Sequence, residues 1–537
     1  MKKLLFIASS LIVVAVTLSV AINAQMSLFG GSQLQKLNIA ELAISKYYVD
    51  SVDEQKMVES AITGMLKELD PHSSYTTAEE TKELTEPLEG KFSGIGVQFN
   101  LLEDTVYVIQ TIVGGPSEKV GILAGDRIIA ANDTAIAGVK MKQKEIMKRL
   151  RGKKGSKVML KVKRAGEKEP LDFLVTRDDI PLYSIDTYYM LNSEVGYVYV
   201  SRFAESTHEE FTKAVDDLRS QGMKRLIIDL QDNGGGYLSS ATKIANEFLD
   251  KGQLIVYTEG KASPKYEEKA SGGGKYKDID VVVIVNQYSA SASEILSGAL
   301  QDWDRAVIVG RRSFGKGLVQ RPFPFSDGSM IRLTIARYYT PSGRCIQKPY
   351  QKGHVEDYEK DILNRFEHGE FTNADSIQFN DSLRYTTLRN GRTIYGGGGI
   401  MPDCFVPLDT TENTRYYRSI VAKGVLTQYV IDYIDKHRKD ILSKHKTFEQ
   451  FKTSFKTTDR MLADLRVRSD SAKIEFKDST DTACLPLLRD VIKGIIARDL
   501  YQENAYSQIV APHNPSYREA IDIINDPERY RKYLRSE

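Results

Sequence analysis

The residues with the clearest potential for chemistry are a serine and a lysine, Ser291 and Lys316. Ser291 lies between a run of buried-strand character, Val281 to Val285, and a helical pattern that starts at Glu294. A serine on such a turn lies beside the unpaired N–H groups and partial positive charge of a helix N-terminus, where an oxyanion could form. Lys316 follows in a turn bracketed by two glycines. The pattern predicts a serine hydrolase whose general base is a lysine.

A lysine accepts a proton only in its neutral form, and the pKa of a free lysine is about 10.4. Removal of the amine from water lowers this pKa, so an apolar pocket is required. Phe314, Leu318 and Val319 supply apolar neighbours of Lys316. Gln320, predicted on the same face of the following strand, would hold the amine through a neutral hydrogen bond. A carboxylate there would raise the lysine pKa instead.

A glycine loop, Asp232 to Gly236, follows a second buried-strand pattern upstream of the serine. That strand pattern runs from Arg225 to Leu230, and the loop reads Asp-Asn-Gly-Gly-Gly. Glycines permit a tight turn and let backbone N–H groups approach a ligand closely. A glycine turn after a strand is also ordinary in α/β proteins, so the loop alone identifies no activity.

The segments around Ser291 and Lys316 resemble the carboxy-terminal processing, or tail-specific, peptidases, a Ser–Lys family of cell-envelope proteases. The matching motifs read Ala-Ser-Ala-Ser-Glu-Ile and Phe-Gly-Lys-Gly-Leu-Val-Gln. The resemblance implies these roles: Ser291 as nucleophile, Lys316 as general base, Gln320 as the residue that orients the lysine, and Ala292 with Gly235 or Gly236 as oxyanion donors.

Two carboxylates of the same segment, Glu294 and Asp302, match family residues with supporting roles. Each also has a structural interpretation. Ser291 and Glu294 have the spacing of a capping box at a helix start. Asp302 lies at a helix C-terminus, where a carboxylate is unfavourable, so an ion pair with Arg305 or Arg312 is expected.

Residues 86–178 resemble a PDZ domain. The glycine-containing segment Gly94-Ile95-Gly96-Val97 leads into an alternating strand and could direct several N–H groups at a peptide's terminal carboxylate. The amphipathic stretch Met141 to Leu150 would form one wall of the groove, and a substrate tail would add as a strand beside Ile95 to Phe99. Proteins with unstructured C-termini are the partners this implies. The alternative is a β-domain that only caps the active site.

The predicted fold class is a multidomain α/β protein. It has a ClpP/crotonase-like protease core, as the resemblance implies, with an inserted or preceding PDZ domain and helical N- and C-terminal regions. The predicted bounds are a signal sequence or membrane anchor at 1–24, a helical region at 25–85, the PDZ domain at 86–178, the protease core at 179–344 and 395–408, an insertion at 345–394, and a helical C-terminal extension at 409–537.

Composition narrows the function further. The chain has 537 residues, 41% hydrophobic and 27% charged, with a net charge of +2 and evenly spread lysines and arginines, which argues against nucleic-acid binding. A charge-free, mostly apolar run from Leu4 to Ile22 follows two lysines, as in a signal sequence or an inner-membrane anchor. An exported, periplasmic protein is expected. No ligand spacing predicts a metal, and the proposed chemistry needs no cofactor.

Two alternatives to the protease remain open at this point. One is a catalytically inactive PDZ scaffold or adaptor of the cell envelope. It is favoured only by Gln231, which stands where the family commonly has an arginine. The other is acyl transfer to small molecules, which would leave a PDZ-like domain without a role. The C-terminal extension could mediate self-association, cover the active site or bind an adaptor.

Overall fold

The computed structural model describes residues 32–102, 104–378 and 380–535. The predicted signal or anchor segment, 1–24, lies outside the described residues. Among the residues described, no helix combines the length and apolar character that a membrane span requires. The chain divides into two compact units, one with the described residues up to Tyr75 and Gln351–Val355, the other with Thr76–Tyr350 and the chain from Glu356 onward.

The N-terminal region is helical in its described part, as predicted. Thr77 and Glu80 form a capping box at the start of the third helix, in which each residue's side chain accepts the backbone N–H of the other. The elements are α1 (Ser32–Tyr47), α2 (Glu54–Lys67), β1 (Ser74–Thr76) and α3 (Ala78–Glu89).

The predicted PDZ region folds as an antiparallel sheet with two helices. Its elements are β2 (Lys91–Gly94), β3 (Val97–Leu102), β4 (Thr105–Thr111), α4 (Pro116–Lys119), β5 (Arg127–Ala131), β6 (Thr134–Ala135), α5 (Gln143–Leu150), β7 (Lys157–Lys163), β8 (Leu171–Thr176) and β9 (Asp178–Pro181). The main sheet has the order β3-β4-β5-β7-β8, so β3 lies at its edge. Alternate residues of β7 are buried, as expected for a strand with one face on a core.

The α/β core follows. Its elements are β10 (Ile185–Met190), β11 (Val195–Val200), α6 (Thr207–Ser220), β12 (Arg225–Asp229), α7 (Leu238–Asn246), β13 (Leu254–Gly260), β14 (Ser263–Lys269), β15 (Asp280–Val285), α8 (Ala292–Asp302), β16 (Ala306–Gly310), β17 (Leu318–Pro324) and β18 (Met330–Tyr339). In the central sheet β11, β12, β15 and β16 are parallel neighbours. Their runs of valine and isoleucine are buried on both faces, which is typical of parallel strands.

The insertion and the C-terminal extension supply the remaining elements. They are α9 (Val355–Glu359), α10 (Asp361–Glu367), 3-10 turns at Ala374–Ser376 and Asp381–Leu383, β19 (Arg384–Thr386), β20 (Thr393–Tyr395), β21 (Cys404–Phe405), α11 (Arg415–Ala422), α12 (Val425–Lys444), α13 (Phe448–Ser454), α14 (Asp459–Ser471), α15 (Asp478–Asp481), a 3-10 turn at Thr482–Cys484, α16 (Leu485–Tyr501), α17 (Glu503–Val510), a 3-10 turn at Ala511–His513, α18 (Pro515–Asn525) and α19 (Pro527–Leu534).

The two faces of the central sheet are covered by different parts of the chain. One face packs against α6, α7 and α8, which are neighbours of the strands in sequence. The other face packs against α18 and α19 near the C-terminus, with Tyr517, Ala520 and Ile523 buried against Tyr197 and Val282. The last helices of the extension are therefore part of the protease core, a relation that the sequence did not indicate.

Candidate active site

The predicted nucleophile lies on a strained turn between β15 and α8. Ser291 has φ of 55° and ψ of −112°, a conformation that few non-glycine residues adopt. This serine turn, residues 286–291, is fixed at its base. Asn286 N–H donates to Ser289 Oγ at 2.9 Å, and the Ser289 hydroxyl donates to Leu230 O at 2.7 Å. A turn of this kind exposes its serine at the end of a strand, directly before a helix N-terminus.

The glycine loop lies against the serine turn. A Cβ on Gly235 would fall 2.7 Å from Ser291 Cβ and 3.0 Å from Ala292 N. Gly235 also has φ of 101°, so its conformation and its close approach both require glycine. The structure thus brings together three residues that the sequence assigned to one site, Ser291, Ala292 and Gly235.

Asn233 fixes the glycine loop, and sequence reasoning gave it no role. The fully buried Asn233 accepts Gly235 N–H on Oδ1 at 2.8 Å, and its carbonyl accepts Ala290 N–H at 3.0 Å. Gly236 is bridged to Phe203 in the neighbouring segment. Since Gly235 N–H donates to Asn233 here, Gly235 would have to exchange that bond to hold an oxyanion.

Glu294 joins the serine turn to the turn that carries Lys316. Its Oε2 accepts the N–H groups of Ser291 and Lys316 at 2.8 and 2.9 Å. Its Oε1 accepts the Ser313 hydroxyl at 2.6 Å and Gly315 N–H at 2.7 Å. Burial raises the pKa of Glu294 to about 7, although these donors favour the charged form. One carboxylate therefore sets the spacing between the backbones of the predicted nucleophile and base.

Tyr338 forms a second bridge between the same two turns. Its buried hydroxyl donates to Lys316 O and lies 3.2 Å from Ser291 O, while its N–H donates to Gly317 O at 3.0 Å. Sequence reasoning missed Tyr338, because the contact depends on how β18 packs and no local motif marks it.

The lysine turn, residues 313–317, is braced by the insertion. Arg365 is only 4% exposed and donates to Ser313 O at 3.0 Å and to Arg312 O at 2.8 Å. It also forms an ion pair of 3.0 Å with Glu370, which pairs in turn with Arg312 at 2.7 Å. We refer to Arg312, Arg365 and Glu370 as the ionic brace.

Lys348 packs against the same turn from the start of the insertion. Its N–H donates to Gly315 O at 2.9 Å, and its ammonium lies 4.1 Å from the ring centre of Phe314. Burial lowers the pKa of Lys348, while an ion pair of 2.8 Å with Asp361 opposes that shift. Lys348 therefore contacts the turn through a backbone hydrogen bond and a cation–π contact.

Gln320 lies on β17, just after a register irregularity in its pairing with β18. Its Nε2 donates to Leu318 O and to Thr334 Oγ1, both at 3.2 Å. Because the amide nitrogen donates to the strands, the amide oxygen is the atom that would accept a hydrogen bond from the lysine amine.

Asp302 forms the expected kind of ion pair, but with a different arginine. Its partner is Arg344, at 2.7 Å, and both side chains are fully buried. Arg305 instead donates to main-chain carbonyls such as Phe248 O, and Arg312 belongs to the ionic brace. The prediction of Arg305 or Arg312 as partner was wrong, because it considered only positions near Asp302 in sequence.

The predicted peptide-binding segment lies at the start of the edge strand β3. Ile95 is buried in the domain core, and its carbonyl accepts the N–H and hydroxyl of Ser117. Gly96 has φ of 74°, which turns the chain into Val97 and β3. β3 pairs with β4 along one edge. Among the described strands no strand pairs with its other edge, so a substrate strand could be added there.

Four family models match the chain. Residues 194–359 match Peptidase family S41, and residues 93–175 match a PDZ domain. Residues 15–81 match the activating protease CtpB N-terminal domain, and residues 416–502 match a family of unknown function, DUF8443. The fold and these matches define a serine peptidase that carries a PDZ domain.

Proteins with similar sequences identify the family within this class of peptidases. A carboxy-terminal-processing protease of Bartonella bacilliformis is 35% identical over 346 residues, which cover 64% of this chain and 78% of the relative. The carboxy-terminal processing protease CtpA of Bacillus subtilis is 36% identical over 372 residues, which cover 67% and 78%. The solved photosystem II D1 C-terminal processing protease aligns at 28% identity with a TM-score of 0.34, over 59% of this chain and 91% of that one. The chain belongs to the carboxy-terminal processing protease family and is a serine-type endopeptidase.

Proposed function

We propose that this protease uses a Ser–Lys mechanism, with Ser291 as nucleophile, Lys316 as general base and Gln320 as the residue that orients the lysine. The observation that carries the proposal is the Glu294 carboxylate, one oxygen of which accepts the N–H groups of both Ser291 and Lys316. The strained backbone of Ser291 supports the same assignment, since such strain concentrates at functional sites.

The reaction passes through an acyl-enzyme. Neutral Lys316 takes the hydroxyl proton as Ser291 Oγ attacks the substrate carbonyl carbon, and the N–H groups of Ala292 and of Gly235 or Gly236 hold the oxyanion. The C–N bond then breaks, and the lysine ammonium protonates the leaving amine. A water next attacks the ester and gives its proton to Lys316. The ester C–O bond breaks, and that proton returns to Ser291.

The PDZ domain would select the substrate. An unstructured C-terminal tail would add as a strand at the edge of β3, with its carboxylate near Gly94 to Val97. This mode is supported by the edge position of β3 and by the PDZ match. The tail sequence would be read by side chains of β3 and α5, while the main chain of the added strand supplies affinity.

We also propose that the protein acts outside the cytoplasm, in the cell envelope. The proposal rests on the lysine-flanked apolar run from Leu4 to Ile22. Fractionation of cells that express the full chain would test it. Recovery in the cytoplasmic fraction alone would refute it.

The mechanism is tested by replacing the base. Wild type and Lys316→Met would be compared on an unfolded reporter with an apolar C-terminal tail, with Lys243→Met on the exposed surface of α7 as matched control. We expect Lys316→Met to lower kcat/KM by about 10³-fold, as loss of a general base does, and Lys243→Met to match wild type.

Two outcomes would count against the mechanism. Equal cleavage by Lys316→Met and wild type would show that Lys316 is not the base. A wild type that binds the tail but cleaves no better than Ser291→Ala would favour the scaffold interpretation.

A further inference from the structure

Gln231, the residue that departs from the family's usual arginine, is held by the C-terminal extension. Asn514 Nδ2 donates to Gln231 Oε1 at 2.6 Å, and Gln231 is only 6% exposed. The main chain of Gln231 is fixed as well, since its N–H donates to Asp229 Oδ1 at 2.9 Å and its carbonyl accepts the Tyr199 hydroxyl. Gln231 directly precedes the glycine loop.

Gln231 is joined through the backbone to two residues whose hydrogen bonds reach the serine turn. Its neighbour Asp232 exchanges two bonds with Asn286, from Asp232 N–H to Oδ1 at 3.1 Å and from Asn286 Nδ2 to the carboxylate at 2.9 Å. The next residue, Asn233, accepts both Gly235 N–H and Ala290 N–H. A displacement at Gln231 would therefore move the loop that contacts Ser291.

The segment that carries Asn514 is itself anchored by several polar contacts. His513 bridges two carboxylates of the extension, Glu412 and Asp490, at 2.9 Å each. Burial opposes the imidazolium, but the hydrogen bonds to Asp490 and Glu412 outweigh it and raise the pKa of His513. Asn514 Oδ1 accepts Ser516 N–H at 2.9 Å and caps α18. Asn514 thus reaches Gln231 from a fixed support.

The same contact lies on the wall of a cleft of about 1140 Å³. Val97 and Gln98 of the PDZ edge strand line this cleft, together with Asp232 and Asn286 of the active-site loops and Asn514 of the extension. The extension is therefore part of the surface that faces both the predicted tail site and the loops around Ser291.

We infer that Asn514 is a positioning residue, which acts through Gln231 to hold the glycine loop against the serine turn, where its N–H groups can reach an oxyanion. The C-terminal extension then contributes to catalysis by positioning the glycine loop. The inference rests on the proposed function, because it assumes that the glycine loop supplies an oxyanion donor.

The test compares Asn514→Ser with Asn504→Ser in the full chain. Serine at 514 retains an oxygen that caps α18 but does not reach Gln231. Asn504 is the matched control, since it also joins the extension to the core, but through Thr187 and Tyr188 N–H of β10 and not through the residue that precedes the glycine loop. We expect Asn514→Ser to lower kcat about tenfold with KM within about twofold, and Asn504→Ser to keep the wild-type kcat.

A double-mutant cycle locates the effect. Gln231→Met removes the acceptor at similar size, and its combination with Asn514→Ser should cost no more than either change alone. A peptide boronic acid, which forms a tetrahedral adduct with an active serine, should bind Asn514→Ser about tenfold more weakly, while a tail peptide binds as to wild type. If Asn514→Ser does not fold, Gln231→Met tests the same bond from the other side.

Three outcomes would overturn the inference: wild-type kcat in Asn514→Ser, equal losses in Asn514→Ser and Asn504→Ser, or losses that multiply in the double variant. Failure of the proposed function looks different. In that case wild type itself would cleave no better than Ser291→Ala, and both proposals would fall together.

Discussion

The two loops that approach Ser291 are held by different kinds of interaction. The lysine turn is fixed by charge, through the ionic brace of Arg312, Arg365 and Glu370. The glycine loop is fixed by hydrogen bonds in which amide side chains take part, through Asn233 within the loop, Asn286 on Asp232, and Asn514 acting on Gln231. Both outer supports come from segments beyond the common α/β pattern, the insertion in one case and the C-terminal extension in the other.

The difference has an energetic consequence. Removal of one partner from a buried ion pair leaves an unpaired charge and typically costs 3–5 kcal/mol, whereas loss of a neutral hydrogen bond typically costs about 1 kcal/mol. A base must be held at one distance from its serine, which suits a stiff support. If Gly235 is the oxyanion donor, its N–H must exchange its bond with Asn233, which suits a softer support.

Loss of the ionic brace should have the largest effect. Arg365→Met would leave Glu370 paired only with Arg312 and would remove the donor to the carbonyls of Arg312 and Ser313. We therefore expect a stability loss of about 3–5 kcal/mol and a large loss of cleavage. Chemical denaturation and kcat/KM on a tailed reporter measure the two effects.

The matched control for the brace is Arg384→Met, an exposed arginine of the same insertion. It should change stability by less than about 0.5 kcal/mol. If Arg365→Met were as stable and as active as Arg384→Met, the ionic brace would contribute nothing to the free energy of unfolding or to activity. The comparison between the two loops would then fail.

Local patterns predicted the backbone turns that the structure brings together at this candidate site. The strand-to-helix turn at Ser291, the glycine loop and the glycine-bracketed lysine all follow from residue types over short stretches, and the structure places their backbones together. Glu294 was recognised both as a cap and as a supporting carboxylate. Its contacts show how the two are compatible, since it accepts Ser291 N–H as a cap and also reaches Lys316 N–H.

The supports of the site could not be predicted in the same way. Arg344, Tyr338 and Arg365 reach their partners from distant segments, and no periodicity encodes which turn a buried arginine will contact. The role of Asn514 is harder still to predict, because the local sequence marks it only as a helix cap. Its second bond, to Gln231, depends on α18 packing on the sheet face opposite α8.

A pH experiment on Glu294 tests the comparison further, because this carboxylate accepts hydrogen bonds from both turns. Burial raises the pKa of Glu294 from the usual 4.5 to about 7, a difference equivalent to about 3 kcal/mol. The folded protein therefore binds more protons than the unfolded chain between those values, so this contribution is full below pH 4.5 and is lost as pH rises through about 7.

We expect wild type to lose up to about 3 kcal/mol of stability over that range, and Glu294→Gln to lose correspondingly less. Activity should run the other way, falling below about pH 7 as a proton on Glu294 displaces an N–H donor. Urea denaturation across pH 4.5–8 measures the stability, and kcat/KM over the same range measures the activity. The buried Asp229, whose pKa burial also raises to about 7, is common to both proteins and cancels in the difference. Identical pH profiles for the two would refute the assignment.

The smallest expected effect comes from Tyr338→Phe, which removes the hydroxyl contact between the serine turn and the lysine turn. The expected loss of stability is about 1 kcal/mol.

Tyr276→Phe is the matched control, because Tyr276 is equally buried and its hydroxyl donates to Asp216 and Thr212 O at a distance from the site. Tyr276→Phe should be destabilised at least as much as Tyr338→Phe, since one acceptor of its hydroxyl is a carboxylate. Only Tyr338→Phe should lower kcat, by roughly fivefold, since its hydroxyl contacts the carbonyls of Ser291 and Lys316. Equal kcat in the two variants would mean that Glu294 alone sets the spacing of nucleophile and base.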